Sequence, residues 1–248
     1  MDWVTNSKDQ DGNMGSGKYG ACCAELDIWE ANKMATAFTP HPCSEEGLYK
    51  CAGTECGDNE TGERYDGVCD KDGCDMQSYR MGNEDFYGPG SQFVVDTTKP
   101  MTVVTQFLTT DGTDAGELSE MRRYYIQDGQ VIHSPESTIL GNDDADSVTN
   151  EFCDAKKDLF DDENDFKELG GMTAMGESLD RGHVMIFSLW DDVEVNMNWL
   201  DRYVTSTQPT THIDMNTIIA IFIIIIVTLP LLCSNSRALS PKHKLFCL

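Results

Sequence analysis

The densest concentration of chemically capable side chains is the run Glu25-Leu26-Asp27-Ile28-Trp29-Glu30, three carboxylates within six residues. Two carboxyl groups facing one another across a sugar linkage can divide the work of breaking it. The ionised one attacks the anomeric carbon while the protonated one releases the leaving oxygen. The alternation of acid with Leu26 and Ile28 predicts a strand, so Glu25 and Asp27 share one face. Glu30 has the wrong parity for that face in a regular strand. A single β-bulge between Asp27 and Glu30 restores it and puts all three acids in one groove. Four effective steps of about 3.3 Å span roughly 13 Å. Glutamate side chains leaning together close much of that towards the separation of about 5 Å that double displacement needs. On pattern alone, acids alternating along a strand are more often its solvated face, so spacing raises the catalytic reading without settling it.

The elements that must position these acids are mostly strands. Cys22–Glu30, Phe93–Val95, Met101–Phe107, Arg122–Gln127 and His183–Leu189 carry β-rich runs. Asp128-Gly129 between two such runs supplies the positive φ values of a type I′ hairpin turn. Phe152, Leu159, Phe160, Phe166 and Leu169 predict a helical stretch over 153–169, ended by Gly170-Gly171. Residues 1–20 read as a polar, glycine-rich loop, and 40–92 as long loops held by cross-links. Many strands, little helix and stapled loops predict an all-β sandwich.

Composition narrows the function. Lys and Arg number 18 against 43 Asp and Glu, a net charge of −25, so the chain repels polyanions and lacks a footprint for nucleic acid. Four Trp, eight Tyr and ten Phe are too many for a solvated coil, and ten Cys point to an oxidising compartment. His41, His133, His183, His212 and His243 have no metal-ligand spacing, so no metal is expected. Asp70-x-Asp72-Gly73 starts like a calcium loop, but Val68 and Tyr79 occupy ligand positions. Asn59-Glu60-Thr61 is a glycosylation sequon, and no nucleotide loop or Ser/His/Asp signature is present.

Longer motifs carry a resemblance. Glu25-Leu26-Asp27-Ile28-Trp29-Glu30-Ala31-Asn32 followed by Thr39-Pro40-His41-Pro42-Cys43 resembles the catalytic segment of glycoside hydrolase family 7, the secreted cellulases. The resemblance continues through Arg64-Tyr65-Asp66-Gly67-Val68-Cys69-Asp70, Asp72-Gly73-Cys74-Asp75, Tyr79-Arg80 and Phe86-Tyr87-Gly88-Pro89-Gly90. It resumes at Asp96-Thr97-Thr98-Lys99, Thr102–Phe107, Ser188-Leu189-Trp190-Asp191-Asp192 and Trp199-Leu200-Asp201.

The resemblance implies a concanavalin-like β-sandwich (a jelly roll) that cleaves β-1,4-glucan with retention and no organic or metal cofactor. It implies Glu25 as nucleophile, Asp27 as the carboxylate that orients it and Glu30 as general acid/base, hence a bell-shaped, acid-side pH dependence. His41, Arg64, Asp72, Asp75, Arg80, Trp190 and Trp199 match substrate-contacting positions. Without the family, the tryptophans read as core filling, the arginines as surface ion pairs, the acids as solvated loop and His41 equally as a packed loop histidine. Implied disulfides are Cys43–Cys69, Cys51–Cys56 and Cys74–Cys153. The loop Gly57–Asp66, which roofs the cleft in the family's cellobiohydrolases, is retained, favouring chain-end cleavage, although Glu60 stands where an aromatic is common. A secreted monomer acting on cellulose follows from the same resemblance.

The ends depart from the family. Cys22 and Cys23, too close to bridge each other, match cysteines that pair upstream. Residues 1–201 are therefore expected to be a partial catalytic domain, lacking a signal peptide and leaving apolar faces and strand edges uncovered. Residues 202–248 read as an unrelated tail with a hydrophobic segment at 217–233. Three readings compete for Ile218–Leu232. A membrane anchor is supported by Arg237, Lys242 and Lys244 beyond it. A buried strand is disfavoured by the length of the run. Sequence foreign to the domain is favoured by the run's brevity for a span and by Pro230. Two functional alternatives stand beside hydrolysis: a silent glucan-binding sandwich and a membrane-tethered ectodomain.

Overall fold

The computed structural model describes residues 19–57, 64–141, 145–190, 197–201, 220–226 and 244–247. In chain order the strands are β1 (Gly20–Cys22), β2 (Glu25–Ala31), β3 (Thr36–His41), β4 (Tyr49–Cys51), β5 (Met76–Gln77), β6 (Tyr87–Gly88) and β7 (Val95–Asp96). They continue with β8 (Thr102–Thr109), β9 (Leu118–Gln127), β10 (Gln130–His133), β11 (Ser147–Val148), β12 (Val184–Trp190), β13 (Ala220–Ile226) and β14 (Lys244–Cys247). Four α-helices, α1 (Asn150–Phe160), α2 (Asp165–Glu168), α3 (Gly171–Arg181) and α4 (Asn198–Asp201), and two short 3-10 turns at Gly53–Cys56 and Arg64–Asp66 complete the described elements.

Two five-stranded sheets make the expected sandwich. One runs β12-β13-β2-β3-β5; the other runs β10-β9-β8-β14, with β11 also on β9. Leu26, Ile28, Phe38 and Met76 from the first meet Phe107, Leu118 and Met121 from the second in one buried cluster. Alternation in β2 produces this arrangement, because Leu26 and Ile28 are at most 1% exposed while the acids between them point away from the core. The β9–β10 hairpin turns at Asp128 (φ 51°) and Gly129 (φ 77°), the geometry its Asp-Gly pair predicts.

The loops are stapled by Cys43–Cys69, Cys51–Cys56 and Cys74–Cys153, the three bonds the resemblance implies. The last ties the segment after His41 to α1. Cys22 and Cys23 are free thiols whose pKa values burial raises.

Two expectations are corrected. The helical stretch over 153–169 does end at Gly170-Gly171, but it is broken into α1 and α2 at residues 161–164, and the glycines open a further helix, α3, whose second residue Met172 donates its amide to Asn150 Oδ1 at 3.0 Å. Met172 and Met175 are fully buried on the core side of α3. The isoleucine run does form a strand: β13 lies between β12 and β2, seven residues long and within the ordinary range. The remaining tail outside 220–226 and 244–247 lies outside the described residues, as do residues 1–18, 58–63 and 191–196. Among the described residues no helix is long and apolar enough to cross a membrane. The expected uncovered apolar surface is found on β12, where Val184, Met185, Ile186, Phe187 and Leu189 are all exposed.

Candidate active site

The site is built on the β2–β3 pair. Glu25 lies opposite His41 and Asp27 opposite Thr39; the register then shifts, and Glu30 lies opposite Ala37. Two residues of β2, Ile28 and Trp29, therefore face the single residue Phe38, which is the bulge that parity demands. The ladder to β13 shifts over the same stretch of β2. Side-chain packing agrees. Ile28 joins the main core, and the next residue, Trp29, packs on Phe86, Tyr87, Val95, Val103 and Tyr125. Consecutive side chains turned inward leave Glu30 on the groove face with Asp27.

Hydrogen bonds knit that face together. Thr39 Oγ1 donates to Glu30 Oε2 at 3.0 Å. His41 Nε2 is 3.1 Å from Asp27 Oδ2, and its Nδ1 is 3.0 Å from the Asp70 carbonyl. A ring that bonds a carbonyl through one nitrogen and a carboxylate through the other donates from both, the form of a charged imidazole. Burial works against that charge, yet the Asp27 hydrogen bond and the charges of Asp27, Glu25 and Asp70 outweigh it and push His41 up to about 10.

The two glutamates respond to the same field. Burial, the charge of Asp27 and a hydrogen bond with it push Glu25 up to about 7, against the pull of His41. Burial first, then Asp27, holds Glu30 well above the ordinary carboxyl range. Glu30 is only 6% exposed, whereas Glu25 is half-buried. Among the described residues the buried Asp27 Oδ1 has no other hydrogen-bond partner, and a hydrogen bond with Asp27 is one of the causes that raise Glu25. Burial and the charge of Asp27 thus favour the neutral form at both Glu25 and the more deeply buried Glu30.

The segment after β3 supports this face from one side. Asp70 Oδ1 accepts the amides of Asp72 and Gly73 at 3.0 and 2.8 Å, so Asp70-x-Asp72-Gly73 is a capped turn. Gly73 has φ +69°, and a Cβ there lies 2.4 Å from Thr39 Cγ2 and 2.7 Å from His41 Cε1. Only glycine lets the turn approach so closely.

The charged ones among the remaining predicted positions bond to other side chains. Arg64 Nε donates to Asp72 Oδ1 at 2.9 Å, its Nη2 reaches the same oxygen, and Tyr65 donates to Asp72 Oδ2 at 3.0 Å. Asp75 is held by Lys156, with Arg80 Nη1 3.7 Å from its other oxygen and the Arg80 guanidinium 4.6 Å over Phe160. Trp199 packs on Ala35, Ala37, Met197 and Leu200, and its carbonyl accepts Gln77 Nε2 at 2.6 Å. Ala37 is opposite Glu30, so Trp199 sits beside the acid end of the groove. Trp190 ends β12, two strands from β2; its side chain, the roof positions 58–63 with Asn59 and Glu60, and Asp191-Asp192 lie outside the described residues.

Sequence reasoning gave no role to Thr39, Asp70 or Lys156. For Thr39 a signal existed, because it is two residues from His41 and so shares its strand face. Asp70 acts through its backbone carbonyl and Lys156 arrives from a helix 81 residues beyond Asp75, which no local pattern reports.

Likeness to known proteins points the same way as this geometry. The family described as glycosyl hydrolase family 7 matches residues 2–217. The chain belongs to that family. A cellobiohydrolase of this family from Daphnia pulex is 51% identical, with TM-score 0.71, over 80% of this chain and 44% of that one. The Humicola insolens endocellulase EGI is 40% identical, TM-score 0.68, over 82% of this chain and 47% of the other. A Melanocarpus albomyces cellobiohydrolase complexed with cellotetraose is 37% identical, TM-score 0.63, over 79% and 43%. The chain thus spans less than half the length of these relatives and shares their β-sandwich.

Proposed function

We propose that this chain carries the catalytic strand of a retaining β-1,4-glucan hydrolase of the cellobiohydrolase kind, working on cellulose chains outside the cell. The observation that carries the reading is the bulge between Asp27 and Glu30, which puts a deeply buried acid on the same face as Glu25 and Asp27. In the first step the ionised carboxylate of Glu25 attacks the anomeric carbon. Glu30 donates its proton to the departing glucosyl oxygen. In the second step Glu30, now ionised, takes a proton from water, and that water displaces Glu25 from the sugar. Asp27, clamped between His41 and Glu25, keeps the nucleophile's orientation through both steps.

Solved relatives complexed with cellobiose and cellotetraose support a glucan as the substrate. Three disulfides fit an oxidising, extracellular setting. Retention of the loop Gly57–Asp66 supports cleavage from chain ends. The test is release of aryl alcohol from a chromogenic β-cellobioside by the chain and by Glu25→Gln and Glu30→Gln. The reading expects turnover in the first and losses of about a hundredfold or more in both variants. Equal glucan binding by all three with no release from any supports instead a silent binding sandwich.

A further inference from the structure

Arg123 lies on β9, in the sheet opposite the acids, and is 2% exposed between the two sheets. Its guanidinium crosses the core. Nη2 donates to the carbonyl of Ile28, Nε donates to Thr105 Oγ1 at 3.0 Å, and the guanidinium carbon lies 4.5 Å over the centre of the Phe38 ring. These landing points coincide with the bulge. Ile28 is one of its two β2 residues, and Phe38 is the single β3 residue opposite them.

A bulge breaks the ladder locally and leaves backbone groups without strand partners. A buried carbonyl left unpaired costs about 1–3 kcal/mol, and the guanidinium removes that cost. The cation itself is expensive. Burial pulls its pKa down, and no carboxylate among the described residues pairs with it. Arg64, Arg80 and Arg122 each have an acidic partner instead. A core that needed only filling at this point is more stably filled by an apolar side chain.

We propose that Arg123 is a positioning residue for Glu30: by anchoring the Ile28 carbonyl it locks the bulge that turns Glu30 towards Glu25 and Asp27. The inference rests on the reading of Glu30 as general acid/base. Lysine in its place keeps the charge but has neither the fork nor the flat face. The bulge then relaxes towards a regular strand, and Glu30 loses its aim while Glu25 and Asp27, before the bulge, keep theirs. The deficit falls on the step that needs an acid.

Leaving-group dependence reads that deficit. Phenyl β-cellobioside needs protonation to leave, and 2,4-dinitrophenyl β-cellobioside does not. Sites are first counted by the dinitrophenolate burst from the 2-deoxy-2-fluoro analogue, so unfolded molecules drop out. Per counted site, Arg123→Lys is expected to lose about tenfold or more in kcat/KM on the phenyl substrate. On the dinitrophenyl substrate it stays within about twofold of the parent. A loss equal on both substrates, or no loss on either, overturns the proposal. Should Arg123→Lys give no burst, Thr105→Val, which removes only the Nε acceptor, carries the same comparison, and the same results support or overturn the anchor. A parent chain without any burst sinks the hydrolase reading by itself. Carbon-detected titration of Glu30 then decides the anchor: a fall towards the ordinary carboxyl range in Arg123→Lys supports it, and an unchanged titration overturns it.

Discussion

Withdrawing water and placing a like charge beside it both push a glutamate's pKa up, and Glu30 has both: 6% exposure and Asp27 on the same face. His41 sets how far this goes. Its positive charge pulls both Glu25 and Glu30 down, so replacing it removes a restraint on each. His41→Gln is therefore expected to move both limbs of the kcat/KM profile to higher pH, by about one unit or more. A profile that stays in place contradicts the field described for the site. With Glu25 as nucleophile, a pKa of about 7 is expected to set the ascending limb of the parent, nearer neutrality than the acid-side profile the division of roles suggests from sequence. The physical cause is the acid pair itself, since Asp27 and burial both oppose ionisation of Glu25. His41 also contributes to stability with a definite sign. Its folded pKa, about 10, lies above the unfolded value near 6.5, so the contribution is complete below about pH 6.5 and fades as pH rises through 10.

At the level of elements, the site depends on how α1 and the 70–75 turn brace β3. Cys74–Cys153 fixes the turn to the helix, and three residues along α1 Lys156 reaches Asp75. The two ends of that pair respond unequally. Burial opposes ionisation of Asp75, but Lys156 and Arg80 override it and hold the carboxyl down at about 2. Burial outweighs Asp75 at the amine, and Arg80 and Lys157 add repulsion, so Lys156 falls to about 8. Lys156→Ala leaves a buried carboxylate short of its main partner and is expected to lower unfolding free energy by about 3–5 kcal/mol in urea titration at pH 7. The penalty shrinks as pH falls towards 2, where Asp75 takes a proton. A loss under about 1 kcal/mol at pH 7 counts against the brace.

Elements also differ in how far the sequence reveals them. Parity along Glu25, Asp27 and Glu30 locates the bulge to within its two residues, because a buried face fixes register strictly. The Asp128-Gly129 turn is legible because its backbone angles admit few residue types. Strand β3 is not, since Thr39-Pro40-His41-Pro42 places prolines where a central strand normally excludes them. Helix α3 is hidden behind two glycines, although Met172, Met175 and Leu179 hold helical spacing. The disulfide pairing comes from the family and not from spacing, because cysteine counts admit many connectivities. Arg123 reads as nothing in particular until the opposite sheet is laid over it.

Across the whole molecule, two sheets divide the labour. The β8–β9 sheet supplies an apolar floor and one buried cation, and the β2–β3 sheet supplies the acids and faces outwards with them. Net charge of −25 keeps polyanions away and places no bar on an uncharged glucan. Val184, Met185, Ile186, Phe187 and Leu189 leave apolar side chains exposed along β12, and the chain covers under half the length of each of these relatives. Double displacement by three acids on one bulged strand leaves a stereochemical mark on the product, because two inversions restore the starting configuration. Proton NMR of the first product released from a cellooligosaccharide, taken before anomers equilibrate, reads that mark. The new reducing end is expected as the β-anomer; an initial α-anomer, or no cleavage by the folded chain, refutes the mechanism.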